Sequence, residues 1–225
     1  MVGSGDEIYN PVTRTRVVFV TAPADSGGRV IAVDWYVPPG EALPLMPHYH
    51  AGPAGEVAES FDVIAGTAAC KVGKRRIVVT APATIEVRFN EHHVHPRNVG
   101  QDELHVRQRA EPREPMPETL QRLQLFFETF MALSQKGKVN RRGDITDPLQ
   151  SAVTFDAYLL DPTYLPVVPA AMQKVLFGGM AWLGRRLGYE AYHAPEVGGR
   201  APGAWTVRQP FFLNFHGLRG WRGRR

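Results

Sequence analysis

The chain has 225 residues, of which 44% are hydrophobic and 21% are charged. This length predicts one domain, alone or with an appendage, and the composition is that of a globular protein, which excludes a largely disordered chain. The net charge of +4 arises at the carboxyl end, where residues 218–225 contain four arginines and no acidic residue. Because the rest of the chain is near neutral, we expect no nucleic-acid partner.

The cysteine count and the amino-terminal residues indicate the cellular compartment in which we expect the protein. Cys70 is the only cysteine, which excludes an intramolecular disulfide framework and a multi-cysteine zinc or iron–sulfur site. Residues 1–10 are polar, and no apolar run reaches the ~18 residues of a transmembrane helix. We therefore expect a cytoplasmic protein without a transmembrane segment.

Residues 16–108 have the pattern of a β-domain. Short apolar segments end there at glycine, proline, asparagine or aspartate. Gly73 and Lys74 predict a hairpin with a two-residue turn. So many short strands close together predict an antiparallel sandwich or small barrel. The predicted strands cover residues 16–20, 30–37, 59–64, 68–72, 76–79, 84–89 and 103–107.

Helices are predicted after the proline-rich residues 111–117, where the hydrophobic period changes from about two to about three and a half. A first helix begins at Pro117, which the first helical turn tolerates, and a second covers residues 147–160 with Asp147 as its cap. One apolar face of the first helix is formed by Leu120, Leu123, Phe127, Phe130 and Met131.

A third helix is predicted over residues 169–187, with apolar residues on one side and basic residues largely elsewhere. We expect the apolar side to pack in the core, because Gly178 and Gly179 weaken an isolated helix. The alternative is a helix that lies on a membrane surface. The apolar side comprises Met172, Val175, Leu176, Met180, Leu183 and Leu187.

The main functional signal is a clustering of histidines, since five of the eight lie in residues 47–50 and 91–98. Alternate residues of a strand face the same side, so a His-x-His pair directs both imidazoles one way. The same period places Glu59 on the face of Phe61 and Val63, which we expect to be interior. Two histidines and one carboxylate can hold a divalent metal with open coordination positions. The clustered histidines are His48, His50, His92, His93 and His95.

These residues resemble the first of two motifs of the cupin family, small double-stranded β-helix barrels that often hold a metal. The motif has a glycine, a His-x-His pair, a glutamate and, after six residues, another glycine, matched by Gly40, His48, His50, Glu59 and Gly66. Eight residues separate His50 from Glu59, where the family usually has three or four. A glycine-rich insertion, which carries a competing carboxylate at position 56, is therefore expected beside the site.

The second cupin motif is matched less closely. Asn98 and Gly100 match the end of this motif. The family usually has a histidine four residues before the asparagine, but this chain has Val94 there, between His93 and His95. A one-residue bulge would bring either histidine inward. Without a bulge, both would point away and three protein ligands would remain.

The chain also resembles cupin proteins whose barrel is followed by Phe-Phe-Glu-Thr and Asn-Arg-Arg-Gly segments, here residues 126–129 and 140–143. The resemblance implies a mainly β fold, a cupin-like double-stranded β-helix barrel with a C-terminal α-helical extension. We divide the chain into the barrel, residues 1–110, a helical extension packed on it, residues 111–197, and a basic, loosely structured tail, residues 198–225.

The resulting hypothesis is a metal-dependent cupin enzyme that acts on a small, apolar organic molecule, with a dioxygenase or other oxygenase as the first expectation. Isomerisation or decarboxylation would use the same site, with Glu59 or Glu91 as a proton carrier. The cofactor is a divalent metal ion, Fe(II), Mn(II), Ni(II) or Zn(II). Its expected ligands are His48, His50 and Glu59, together with His93 or His95.

Two alternatives remain open. The first is a metal-free cupin that binds a small molecule or serves in assembly without catalysis. In the second, the helical extension and the basic tail dock a partner or a membrane while the barrel is a scaffold. We also expect a homodimer that pairs through the sheet edges, the alternative being that the helical extension covers that edge.

Overall fold

The computed structural model describes residues 1–44, 47–159, 163–166 and 168–198. The predicted basic tail beyond Gly198 lies outside the described residues. The strands are β1 (Glu7–Tyr9), β2 (Arg16–Thr21), β3 (Ile31–Val37), β4 (Tyr49–His50), β5 (Val57–Ala65), β6 (Thr67–Val72), β7 (Arg75–Thr80), β8 (Ala83–Arg88), β9 (His93–Asn98), β10 (Leu104–Ala110) and β11 (Thr163–Tyr164). The helices are α1 (Pro117–Gln135), α2 (Pro148–Tyr158) and α3 (Ala170–Arg186).

Two antiparallel sheets form the barrel. One has the strand order β1-β2-β3-β10-β5-β8, and the other has the order β7-β6-β9. A backbone bridge between His48 and His93 continues the second sheet to the segment that contains β4. The strands are thus divided between two facing sheets in the jelly-roll arrangement that cupins share. The predicted mainly β, cupin-like barrel with a C-terminal helical extension is confirmed.

Local sequence accounts for most of these strands. The predicted hairpin joins β6 and β7, where Val72 pairs with Arg75 across a two-residue turn. Gly73 has φ +58 in that turn, a left-handed conformation that glycine adopts at little cost. The strand β9 was not predicted, because the apolar alternation that marks a strand is missing from His-Val-His-Pro-Arg-Asn.

The core lies between the two sheets and continues into the helical extension. Phe19, Trp35 and Phe61 are at most 1% exposed, and burying each large apolar side chain stabilises the fold by about 1.5–3 kcal/mol. The Trp35 ring meets the Phe127 ring of α1 edge to face, with centroids 5.7 Å apart. The extension therefore shares its core with the barrel.

The first two helices begin as the sequence predicts. Pro117 opens α1, whose predicted apolar face is buried except for Leu123, which is half-buried. The Asp147 carboxylate accepts hydrogen bonds from the backbone N–H groups of Leu149 and Gln150 at the start of α2. That cap satisfies two of the amide groups that a helix leaves unpaired at its amino end.

The expectation that the apolar side of α3 packs in the core is wrong. Its six predicted residues are 38–75% exposed. The helix instead contacts α2 through the buried Ala181 and Gly184 and through Phe177, whose ring stacks on that of Phe155 with centroids 5.8 Å apart. A Cβ at Gly184 would lie 2.7 Å from a methyl carbon of Val153, so the two helices approach too closely for any larger residue. No helix in the described part of the chain has the length and hydropathy needed to cross a bilayer.

The Phe-Phe-Glu-Thr segment ties the ends of the described chain to α1. The Glu128 carboxylate is fully buried and accepts hydrogen bonds from the Val2 backbone N–H at 3.0 Å and from the Tyr192 hydroxyl at 2.7 Å. Buried carboxylates are stable only when they are hydrogen-bonded. This motif therefore has a structural explanation and requires no role in the site described next.

Candidate metal centre

Five side chains from three strand segments converge at one end of the barrel. One ligand atom from each of the first four named below lies within 4.8 Å of the others. The fifth, His95, has its Nε2 atom 3.6 Å from the Glu59 Oε1 atom. Four of the five are buried, and His50 is half-buried. They are His48, His50, Glu59, His93 and His95.

Backbone pairing explains why residues so distant in sequence meet. His48 and His93 exchange reciprocal backbone hydrogen bonds of 3.1 and 2.9 Å, which place the two histidine segments side by side. Glu59 arrives from β5 in the facing sheet. It is buried together with Phe61 and Val63, as the period of two predicts.

Both His93 and His95 face the interior, each 2% exposed. The sequence left open which of them would do so, and the structure brings in both because they lie two residues apart on β9. A register shift in the pairing of β9 with β6 lies between Val94 and Arg97, so the bulge follows His93 and contains His95. The structure therefore offers one imidazole more than the three-histidine, one-carboxylate set.

Hydrogen bonds to backbone carbonyls fix the orientation of these two rings. The Nδ1 atom of His95 lies 2.8 Å from the carbonyl oxygen of Pro44, and that of His93 lies 3.2 Å from the carbonyl oxygen of Glu91. A carbonyl oxygen only accepts, so each Nδ1 carries the proton. In the neutral rings, the Nε2 lone pairs therefore point into the cluster.

The buried Nε2 atoms of His93 and His95 have no hydrogen-bond partner. The Nε2 atom of His93 approaches the Glu59 Oε1 atom to 2.6 Å, without the alignment of a hydrogen bond. Two acceptor atoms at that distance repel unless a cation or a proton lies between them. Imidazole nitrogens and a carboxylate are common ligands of divalent transition metals. The donor set therefore fits a divalent metal ion.

The electrostatics of the cluster favour an anionic carboxylate at Glu59. Burial alone would raise the pKa of Glu59, but the electrostatic influence of His95 and contacts with the His50 and His93 rings hold that pKa well below its usual value. Burial and the nearby histidines lower the pKa of His48 well below its usual value. Burial would also lower the pKa of His93, but its contact with Glu59 outweighs burial and raises that pKa.

Gln108, which the sequence analysis missed, fixes the second oxygen of the carboxylate. Its amide donates a hydrogen bond of 2.9 Å to Glu59 Oε2, and its carbonyl oxygen accepts one of 2.9 Å from Trp35 Nε1. A polar residue at a buried position of β10, two residues after Val106, was the available signal. This series of hydrogen bonds, from Trp35 through Gln108, orients Glu59 towards the histidines.

The helical extension reaches the cluster through Thr163, which the sequence analysis also missed. Its short strand, β11, pairs with β4, and Thr163 lies opposite His50. The Thr163 Oγ1 atom is 3.0 Å from His50 Nδ1, and His50 Nε2 is 3.3 Å from Glu59 Oε1. A hydrogen bond from Nδ1 to the hydroxyl would leave the Nε2 lone pair free for a cation.

A cavity of about 250 Å³ lies over the cluster. Four of the five cluster residues line it, as do carbon-rich side chains of the barrel, α1 and α2. The predicted glycine-rich insertion forms part of the wall, where a Cβ at Gly52 would overlap the Phe89 ring. The arrangement can hold a small, largely apolar molecule against a cation-binding floor.

Other candidate residues lie apart from this cavity. Glu91 does not line it, and its carboxylate accepts a hydrogen bond from the Arg88 backbone N–H, so its position does not support a role as proton carrier. His92 is exposed and packs against Tyr49. Burial raises the pKa of the Cys70 thiol to about 11, so this thiol is protonated at neutral pH.

Among solved structures, the chain is similar to a predicted oxalate decarboxylase from Thermotoga maritima, with 14% identity over 50% of this chain and 100% of that chain, at a TM-score of 0.38. It is also similar to the Lactobacillus farciminis oxalate decarboxylase formate complex, with 16% identity over 45% of this chain and a TM-score of 0.36. The Schizosaccharomyces pombe Cnp3 cupin domain has 11% identity over 44% of this chain and 65% of that chain, at a TM-score of 0.32.

The chain spans 29% of the length of the Lactobacillus farciminis enzyme. No protein-family model matches the chain, and neither does any curated protein. Similarities at these identities and TM-scores do not indicate an activity for this chain. The fold is assigned from the strand order of the chain itself.

Proposed function

We propose that this cupin-fold chain is a metal-dependent enzyme that acts on a small, largely apolar organic molecule. The observation that supports it is the cluster itself, in which unpartnered Nε2 atoms of His93 and His95 surround a buried, anionic Glu59 beneath an apolar cavity. A buried negative charge is unfavourable in a protein interior unless an opposite charge balances it, and a bound cation would balance that of Glu59.

The residues proposed to hold the metal are His48, His50 and Glu59, with His93 or His95 as the fourth ligand. Fe(II), Mn(II), Ni(II) and Zn(II) all accept imidazole and carboxylate ligands. When bound, the metal supplies a Lewis acid, and with Fe(II) or Mn(II) also a redox centre, for an oxygen atom of the substrate.

The protein's own groups have separable roles in this proposal. Because its pKa is depressed, Glu59 stays ionised at neutral pH and is better suited to hold a cation than to deliver a proton. Gln108 keeps its carboxylate oriented. The apolar walls exclude water, which strengthens the electrostatic interactions at the floor. Oxygenation is the reaction we propose first, because it requires no nucleophile from the protein.

Elemental analysis by plasma mass spectrometry tests the metal site, on protein purified without an affinity tag or chelator. We expect about one equivalent of metal in the wild type and its loss in the variant with His48→Ala and His50→Ala. His92→Ala is the matched control, because His92 lies in the same histidine window but is exposed, and it should retain the metal.

Absence of metal from the wild type, even after reconstitution with each of the four ions, would overturn the enzyme proposal. The barrel would then be a metal-free binding module, whose ligand affinity and stability should barely change in the double variant. If metal is found, oxygen consumption during a screen of apolar substrates tests the oxygenase assignment. Turnover without oxygen consumption would favour isomerisation or decarboxylation.

A homodimer and a cytoplasmic location stay predictions of the sequence. The sheet edges proposed for pairing are β7 in one sheet and β8 in the other, and exposed edge strands offer unpaired backbone groups to a second copy. Light scattering coupled to size-exclusion chromatography measures the oligomeric state directly. A monomer at micromolar concentration would exclude stable pairing.

A further inference from the structure

Two charged side chains line the cavity in its described part, one in the histidine cluster and one on α1. Among the described lining residues, the side chains that carry a full charge at neutral pH are Glu59, which belongs to the histidine cluster, and Arg122 of α1. Leu120 and Leu123 of the same helix also line the cavity. The apolar wall formed by α1 therefore carries a cation at its solvent-exposed rim.

Arg122 differs from several other arginines of the chain because no described residue pairs with it. Arg141 and Arg185, for comparison, lie 3.0 and 2.7 Å from carboxylate oxygens. Glu118, one helical turn earlier on α1, forms no such pair with Arg122 among the described residues. A guanidinium stays protonated at neutral pH and presents a planar fork of donors that matches a carboxylate.

We propose that the cavity takes an apolar molecule that carries a carboxylate, and that Arg122 binds this carboxylate at the rim. Leu120, Leu123 and Phe89 then contact the apolar body, and the other end of the molecule faces the histidine cluster. This inference rests on the proposed function, because it takes the cavity as the substrate site, and it narrows the substrate class from apolar molecules to apolar carboxylates.

A pair of ligands with matched shape tests the assignment. Naphthalene-2-carboxylate and naphthalene-2-carboxamide share a ring system and differ in charge, and isothermal titration calorimetry measures the affinity of each. We expect the wild type to prefer the carboxylate by about fivefold, the upper range for a solvent-exposed ion pair. Arg122→Gln should abolish this preference without changing the affinity for the amide, and Arg122→Lys should retain part of it.

Arg113→Gln is the control, because Arg113 is exposed in the segment just before α1 but does not line the cavity. The titrations are made on metal-free and on Zn(II)-loaded protein. Equal affinities of the wild type for the two ligands, or binding of neither, would overturn the proposal. A preference that survives in Arg122→Gln but disappears when the metal is removed would also overturn it, because the carboxylate would then bind the metal.

The two proposals fail in different ways in this experiment. If the protein binds no metal, the function proposed above fails, yet the metal-free protein can still prefer the carboxylate through Arg122. If the metal binds stoichiometrically and the preference is absent, only the assignment of Arg122 fails. Arg122→Gln should keep the full metal content of the wild type, since Arg122 is outside the cluster.

Discussion

Glu59→Gln separates a metal centre from a histidine cluster that is only structural. The substitution keeps the shape of the side chain and removes its negative charge. The amide oxygen of the new side chain could still accept the hydrogen bond that Gln108 donates to Oε2 at 2.9 Å. The amide N–H groups would then point towards His93 Nε2, which lies 2.6 Å from Oε1 in the wild type. No buried group therefore loses its only partner.

The expected effects on metal binding and on stability differ sharply. Metal affinity should fall at least about 100-fold, because replacing even a group that merely orients a ligand costs about 10–100-fold. A 100-fold loss corresponds to about 2.7 kcal/mol of binding free energy. The free energy of unfolding of the metal-free protein at pH 8 should change by less than about 1 kcal/mol, because the substitution leaves no buried polar group unpaired.

A competition titration of Zn(II) against a chromophoric chelator measures the first quantity, and urea denaturation followed by circular dichroism measures the second. Glu86→Gln is the control, because Glu86 is exposed on β8. Unchanged Zn(II) affinity in Glu59→Gln would show that the carboxylate is not a ligand. A loss of about 3–5 kcal/mol in the metal-free protein would instead identify a structural buried ion pair.

Three further substitutions or measurements test other parts of the structure. Thr163→Val removes the hydroxyl 3.0 Å from His50 Nδ1, so Zn(II) affinity should fall about 10–100-fold, and Thr163→Ser should restore it; equal affinities in both variants would exclude a positioning role. Burial raises the pKa of Asp34, but hydrogen bonds from Arg107 at 2.7 and 3.0 Å outweigh it and hold that pKa below its usual value. The stabilisation by the ionised Asp34 is complete above the unfolded-state pKa of about 3.9 and is lost as the pH falls through the folded-state pKa. Asp34→Asn should therefore lower the Tm measured by calorimetry at pH 7. A difference in Tm between the variant and the wild type that persists in strong acid would contradict this explanation. With its pKa raised to about 11, Cys70 should react with a thiol reagent far more slowly in the folded protein than in guanidinium chloride, and equal rates would show that the thiol is accessible.

The outcome for α3 shows where reasoning from sequence fails. Its hydrophobic period correctly predicts a helix, observed over Ala170–Arg186. Periodicity identifies an apolar face but not the surface that the face meets. Close packing against Val153 of α2 requires a small residue at Gly184, and the six residues of the predicted apolar face are left exposed.

The features that depend on near neighbours in the chain were predictable from the sequence. Strand period alone placed Glu59 on an interior face, and the two-residue turn at Gly73 predicted its hairpin. These outcomes follow from backbone geometry over a few residues.

The features that depend on distant segments became visible only in the folded chain. The bulge in β9 contains His95 and leaves both His93 and His95 facing inward. Gln108 and Thr163 reach the cluster from β10 and β11, respectively. Strand register and the packing of the extension on the barrel set these contacts, and both depend on pairings between residues far apart in the chain, which a local pattern does not encode.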